Sequence, residues 1–444
     1  MKDCCKDEGG DGDGGTYDLA VIGAGSAGFS AAITAAEAGA RVALIGHGTI
    51  GGTCVNVGCV PSKAMIRAVE VLHQARAASR FDGLAADARV TDWAALVRQK
   101  QALVDELRTA KYTDVLPNYE RVTYIEGKAG FRADGTLEVD GRCLRADKIV
   151  IATGARPHVP DISGLDTVDW LDSTSALALE TLPKSLLIMG AGFIAAELGQ
   201  IFARAGVEVT IVTRRRLLPE AEPEISAALT GYFAAEGIRV EGGLTYVSVS
   251  GQGGQVRLEA RRDGAPVRFA AERLLLTTGR VPNTAGMGLA AAGITLDRRG
   301  GIVVGPDMQT SRKGVYAAGD VTGRDQFVYM AAYGARLAAS NAVDDGMLSY
   351  DNSTMPAVVF SDPQVASVGM TEAEARKLGL AVVVSVLPLE HVPRALAARD
   401  TRGLIKLVAE AGHKRLLGAH ILAPEGADTI QTAAVAIRAG MTYE

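Results

Sequence analysis

The chain is poor in aromatic residues and in cysteine. Phe, Trp and Tyr make up 5% of its 444 residues, and the only cysteines are Cys4, Cys5, Cys54, Cys59 and Cys143. So sparse and odd a set excludes a disulfide scaffold, which needs a dense paired framework. No purely apolar run reaches the length of about 18 residues that a membrane helix needs. The opening MKDCCKDEGGDGDGG has acidic residues where a secretory signal would have an apolar stretch. Excess positive charge is missing too. With a formal net charge of -5, a nucleic-acid partner has no electrostatic support. The expected setting is the cytoplasm, with no membrane and no nucleic acid.

What the chain has is glycine, 52 residues of it, within a composition of 48% hydrophobic and 22% charged residues. That balance is close to the globular average and supplies material for several cores. The length suggests roughly three domains, at about 150 residues each. Residues 1–15 read as a flexible acidic tail. From Tyr17 the sequence YDLAVIGAGSAGFSAAITAAEAGARVALIG runs strand, Gly-rich turn, Ala-rich helix, strand, which is a βαβ unit. The pattern returns at SLLIMGAGFIAAELGQIFARAGVEVTIVT, from Ser185. Two such units predict two dinucleotide sites. Residues 62–78 and 92–112 have helical periodicity, and 121–151 and 238–276 alternate as strands do. From about 347 a new mixed alternation begins, ending in the apolar-striped helix ADTIQTAAVAIRAG.

The first turn is Gly23-Ala24-Gly25-Ser-Ala-Gly28. Its glycines suit a tight turn, close backbone approach to a pyrophosphate, and close helix packing. The helix N-terminus then holds the phosphates. A ribose-binding acid is expected about 20 residues on, at the end of the second strand. Gly46-His47 stand there instead, with no carboxylate. Either other groups hold the ribose or affinity is reduced. The second turn is Gly190-Ala-Gly192-Phe-Ile-Ala195, with alanine at the third position. Its second strand runs into Arg214-Arg215-Arg216. Three guanidinium groups where NAD would need an acid favour the 2′-phosphate of NADPH, with Arg214 best placed.

The most informative segment is Gly51-Gly52-Thr53-Cys54-Val-Asn-Val-Gly-Cys59-Val-Pro61-Ser-Lys63. Two cysteines five positions apart can close a small disulfide loop or capture one soft metal ion between thiolates. Pro61 suits the first turn of a following helix. Cys59 then sits at a helix N-terminus, where the dipole favours the thiolate. Lys63 adds positive charge one turn on.

This segment resembles the redox-disulfide site of the two-dinucleotide flavoprotein disulfide reductases. Ala152-Thr153-Gly154 and Gly314-Val-Tyr-Ala-Ala-Gly319-Asp320 are similar to the two later FAD-domain motifs of that family. The likeness covers nearly all of the chain from Tyr17. It is greatest to the mercury-reducing members, through Asp105–Tyr112, Gln326–Tyr329, Val392–Leu396 and Asp400–Gly403. The resemblance implies an α/β fold with two Rossmann-like domains, for FAD and NADPH, and an α+β interface domain that makes a homodimer. The boundaries expected are 16–160 with 281–346 for FAD, 161–280 for NAD(P)H, and 347–444 for the interface.

The resemblance further implies that Cys59 is the flavin-side thiol and Cys54 the interchange thiol, with Hg(II) carried in on small thiols as substrate. Lys63 and Glu197 would lie near the isoalloxazine, and Tyr112 would line the metal pocket. The alternative for Glu197 is a polar residue on an exposed helix face; for Tyr112 it is a helix-end tyrosine packing on the domain surface. Gly23, Ala24, Gly25, Gly28, Gly52, Thr53, Lys63, Ala129, Thr153, Gly154, Asp320 and Val328 would serve FAD. Gly190, Gly192, Ala195 and Arg214–Arg216 would serve NADPH.

Family members continue some tens of residues past the equivalent of Glu444, so the interface domain is expected to be incomplete. In disulfide-reducing members that stretch holds a His–Glu pair. In mercury-reducing ones it holds a second tyrosine and a cysteine pair. Cys4 and Cys5 are candidates to pass Hg(II) to Cys54 and Cys59 in place of that pair. The alternatives are a reductase of lipoamide-like or glutathione-like disulfides, or an inactive flavin-binding fragment.

Overall fold

The computed structural model describes residues 16–344 and 346–444. They fall into two compact units. The first comprises the described residues up to Val60, Ala102–Arg156 and Arg280–Asp351. The second comprises Pro61–Gln101, Pro157–Gly279 and Asn352–Glu444.

The first unit is built on a parallel sheet. Its strands run in the order Val315–Ala317, Ala146–Ile151, Tyr17–Ile22, Val42–Gly46, Val122–Glu126. Leu19, Ala20 and Val21 are consecutive and fully buried, which requires cover on both faces of the sheet. Helix Ser26–Glu37 packs against helix Val328–Val343 through small residues. Ala27, Ala31 and Ala35 are buried on the first, and Ala331, Ala335 and Ala338 on the second. Close packing of alanine helices is how this unit builds a core with few aromatics. A second sheet, antiparallel, joins Ala129–Phe131, Leu137–Val139 and Arg142–Cys143.

The second unit repeats the parallel theme. Strands Arg239–Glu241, Glu208–Val212, Ser185–Met189, Arg273–Leu276 and Trp170–Leu171 lie in that order. A three-stranded antiparallel meander, Leu244–Gln252, Gln255–Arg262 and Ala265–Ala271, is inserted before Arg273. Met65, Val69, Trp93 and Val97 come from the two segments with helical periodicity, which form helices Cys59–Arg76 and Trp93–Arg108. They pack with Ile188 and Phe202 in this unit's core.

The unit's last sheet is antiparallel, in the order Ala357–Val359, Gln364–Gly369, Leu416–Ala423, Leu404–Glu410, Val382–Pro388. Helix Gly426–Arg438 covers its middle strands through Ile430. Among the described residues, no helix is long and apolar enough to cross a membrane.

Candidate functional site

The two Gly-rich turns are near copies in geometry. Gly23 has φ +120° and Gly190 φ +117°, backbone that side chains rarely adopt. A Cβ on Gly23 would lie 2.3 Å from the Ala152 carbonyl oxygen, and one on Gly190 2.4 Å from that of Thr277. Each glycine donates its N–H to the end of the neighbouring strand, Gly23 to Ile45 and Gly190 to Val212. Gly25 and Gly192 are the N-caps of helices Ser26–Glu37 and Phe193–Arg204, and no side chain caps either helix. A Cβ on Gly192 would meet nothing within 4 Å, and the first N–H groups of both helices lack a side-chain cap. Both cradles therefore fit a pyrophosphate.

The third position differs between them. A Cβ on Gly28 would lie 1.6 Å from the Gly23 carbonyl oxygen, whereas Ala195 carries one and is fully buried. The second helix must therefore stand further from its turn.

The cysteine segment is pinned onto the first turn. Gly51 donates its N–H to the Ala24 carbonyl at 2.8 Å. A Cβ on Gly52 would lie 2.7 Å from the Gly25 Cα, so only a second glycine permits this approach. Gly51 (φ +97°) caps helix Gly52–Val57, which carries exposed Thr53 and half-buried Cys54. Asn56 donates to the Ile50 and Gly52 carbonyls and accepts from Arg108, which also pairs with Asp105. The chain breaks at Gly58, and exposed Cys59 opens helix Cys59–Arg76.

Tyr112 lies on a π-helical turn, Thr109–Thr113, and is buried against helix Ser26–Glu37. Its hydroxyl is 2.8 Å from that of Ser26, and its ring meets Phe29 edge-on at 4.9 Å. Burial raises its pKa, the Ser26 hydrogen bond opposes this, and the charges of Cys54 and Cys59 add to the rise. One phenol thus lies within electrostatic reach of both sulfurs while packing on helix Ser26–Glu37. Tyr329, the last residue of the Gln326–Tyr329 motif, is a further neighbour of Cys59. Burial, Asp325 and Cys59 push its pKa up to about 12. A tyrosine so far from the cysteines in sequence has no local signal to reveal it.

The remaining first-unit positions lie on turns and element ends of that unit. The Thr153 hydroxyl donates to the Asn283 carbonyl, and Asn283 returns bonds to Thr153 and to Gly154 (φ +70°). Asp320 follows Gly319 (φ +77°) and lies 3.9 Å from the Arg280 guanidinium. Burial raises its pKa and Arg280 opposes the rise. Val328 begins helix Val328–Val343, and Ala129 begins a short strand.

In the second unit Glu197 is 4% exposed, which excludes an exposed-face role. Its carboxylate accepts from the Lys63 ammonium at 2.8 and 3.0 Å and from the Phe360 N–H at 3.0 Å. Lys63 also lies over the Phe360 ring, 4.7 Å from its centre. The three arginines take three different positions. Arg214 lies over the Tyr246 ring at 5.5 Å, Arg215 pairs with Glu220, and Arg216 donates to the Pro219 and Ala221 carbonyls. Cys4 and Cys5 lie outside the described residues. Among the described residues, no cluster of three or more His, Cys, Asp or Glu forms a metal site.

The chain matches the pyridine nucleotide-disulphide oxidoreductase family over residues 17–345, and that family's dimerisation domain over 355–444. It is 46% identical to a mercuric reductase of Shigella flexneri over 438 residues, 98% of this chain and 78% of that protein. It is 44% identical to a mercuric reductase of Lysinibacillus sphaericus over 429 residues, 96% of this chain and 78% of that protein. Among solved structures it is similar to the Cu(II) complex of the HOCl-induced flavoprotein disulfide reductase RclA from Escherichia coli. There the TM-score is 0.85 at 31% identity, covering 97% of this chain and 94% of that one.

Proposed function

The chain belongs to the pyridine nucleotide-disulphide oxidoreductase family, and on that premise we propose that it reduces Hg(II) to Hg(0) at the expense of NADPH. The observation that carries the choice of substrate is the near-full-length similarity to mercuric reductases. The soft-metal chemistry of a thiolate pair supports it independently.

Cys54 and Cys59 exchange for the small thiols that deliver Hg(II), and the metal is held between two sulfurs. Tyr112 lies near both sulfurs and Tyr329 near Cys59, and burial favours the neutral form of each phenol. Gly23, Gly25, Gly28, Thr153, Gly154 and Asp320 would hold FAD, and Gly190, Gly192, Ala195 and Arg214 would hold NADPH. FAD when bound supplies the two-electron link between nicotinamide and sulfur. Half-buried Lys63 is held in place by the buried Glu197 carboxylate. In balance, NADPH gives NADP⁺ and a proton, and two electrons reduce Hg(II). The match to the dimerisation domain supports a homodimer, and the cytoplasm, where NADPH is supplied, is the setting this chemistry needs.

The test is NADPH oxidation by the flavin-loaded protein with Hg(II) in excess thiol, trapping volatile Hg(0). Oxidised lipoamide and glutathione disulfide run in parallel. Mercury-dependent turnover is expected, with NADPH preferred over NADH. Cys59→Ser should lower it by at least about a hundredfold, the scale of losing an essential nucleophile. Turnover of a disulfide without turnover of mercury would replace this reading with a disulfide reductase.

A further inference from the structure

The end of strand Val42–Gly46 is where a dinucleotide fold places the acid for the adenosine ribose. Here that position is Gly46, and it has no room for a side chain. A Cβ on Gly46 would lie 2.6 Å from the Tyr124 hydroxyl oxygen, 2.8 Å from the Tyr124 ring and 2.7 Å from the Ala24 Cβ. Tyr124 comes from the neighbouring parallel strand Val122–Glu126, where it pairs with Leu44, two residues before Gly46. Residues two apart on a strand share a face, so Tyr124 leans along the face that Gly46 leaves bare. Ala24, the other neighbour, belongs to the first Gly-rich turn. The hydroxyl therefore lies beside the phosphate cradle, where the stem of the expected carboxylate would begin.

We propose that the Tyr124 hydroxyl replaces the missing carboxylate and hydrogen-bonds the adenosine ribose of FAD. This rests on reading the first turn as the FAD site. A phenol can both donate to and accept from a ribose hydroxyl. Among the described residues, no group of the protein is hydrogen-bonded to the Tyr124 oxygen, which leaves it available to a ligand. Burial and the nearby Glu126 carboxylate raise its pKa, so the proton it would donate is retained at neutral pH. Exposed Glu126 is the nearest acid and pairs in register with Gly46, so it is the competing ribose partner.

The experiment measures the affinity of flavin-free protein for FAD and for FAD lacking the adenosine 2′-hydroxyl, by quenching of flavin fluorescence. The wild type is expected to prefer FAD by about three- to tenfold, the range of one hydrogen bond. Tyr124→Phe should weaken FAD by a similar factor and erase the preference. Gly46→Glu should weaken FAD through the clash with Tyr124. Gly46→Glu combined with Tyr124→Val and Ala24→Gly, which returns the acid and removes both neighbours its Cβ would meet, should restore both affinity and preference.

Unchanged FAD affinity and an unchanged preference in Tyr124→Phe would overturn the inference. So would loss of the preference in Glu126→Gln but not in Tyr124→Phe. A folded wild type that binds no FAD would instead overturn the reading of the first turn, and this inference with it.

Discussion

At the scale of single residues, the phenol beneath the Arg214 guanidinium makes a pH-dependent contribution to stability. Tyr246 donates its hydroxyl to the Val212 carbonyl at 2.9 Å, at the end of the strand that leads into Arg214. Burial pushes its pKa up to about 12, with Arg214 opposing the rise. The fold thus favours the neutral phenol. Its contribution is complete below the usual value of 10 and is lost as pH rises through about 12. Tyr246→Phe should cost about 0.5–1.5 kcal/mol at neutral pH, the range of a hydrogen bond. It should also remove part of the alkaline loss of stability. Urea denaturation repeated between neutral pH and the alkaline limit checks both. A variant with the same alkaline slope as the wild type would mean that other tyrosines carry it.

At the scale of elements, a buried cation ties three of them together. Lys406, on strand Leu404–Glu410, is 1% exposed and bonds Glu222, Glu224 and Glu372 at 2.9, 3.0 and 2.9 Å. Glu222 and Glu224 lie at the start of helix Pro223–Ala235, and Glu372 opens helix Glu372–Lys377. The acids hold the Lys406 ammonium well above the usual lysine range, against the cost of burying it. Replacing it by methionine would leave Glu222, 3% exposed, as a buried charge without its ammonium partner. Lys406→Met should therefore cost about 3–5 kcal/mol, and adding Glu222→Gln should recover part of that. Thermal or urea unfolding of both variants measures it. A loss below 1 kcal/mol in the single variant would mean that water reaches the cluster.

At the scale of the whole molecule, residues 355–444 match a dimerisation domain. Their edge strand Val382–Pro388 exposes Val383, Val386 and Leu387, and helix Gly426–Arg438 exposes Val435. Exposed apolar side chains on a dimerisation domain are candidates for cover by a partner. Sedimentation is expected to give about twice the chain mass of 46.2 kDa. A mass of one chain at micromolar concentration would mean that this region does not pair in solution.

Periodicity and turn chemistry alone determined the two βαβ units, their glycines and the cysteine helix. Those patterns are local: a tight turn, a helix N-terminus and an apolar strand each need only neighbours in the chain. Resemblance then added Tyr112 and Glu197 as site residues, but only the tertiary structure decided how they are held. Tyr112 is fixed by Ser26 and Phe29, and the buried Glu197 by Lys63 and the Phe360 backbone. The glycine pair before Cys54 is likewise explained only by the approach of Gly52 to Gly25. Gly46 shows the division most plainly. The sequence reveals that an acid is missing there. That a tyrosine from the next strand fills its place follows from strand order and register, which no local pattern encodes.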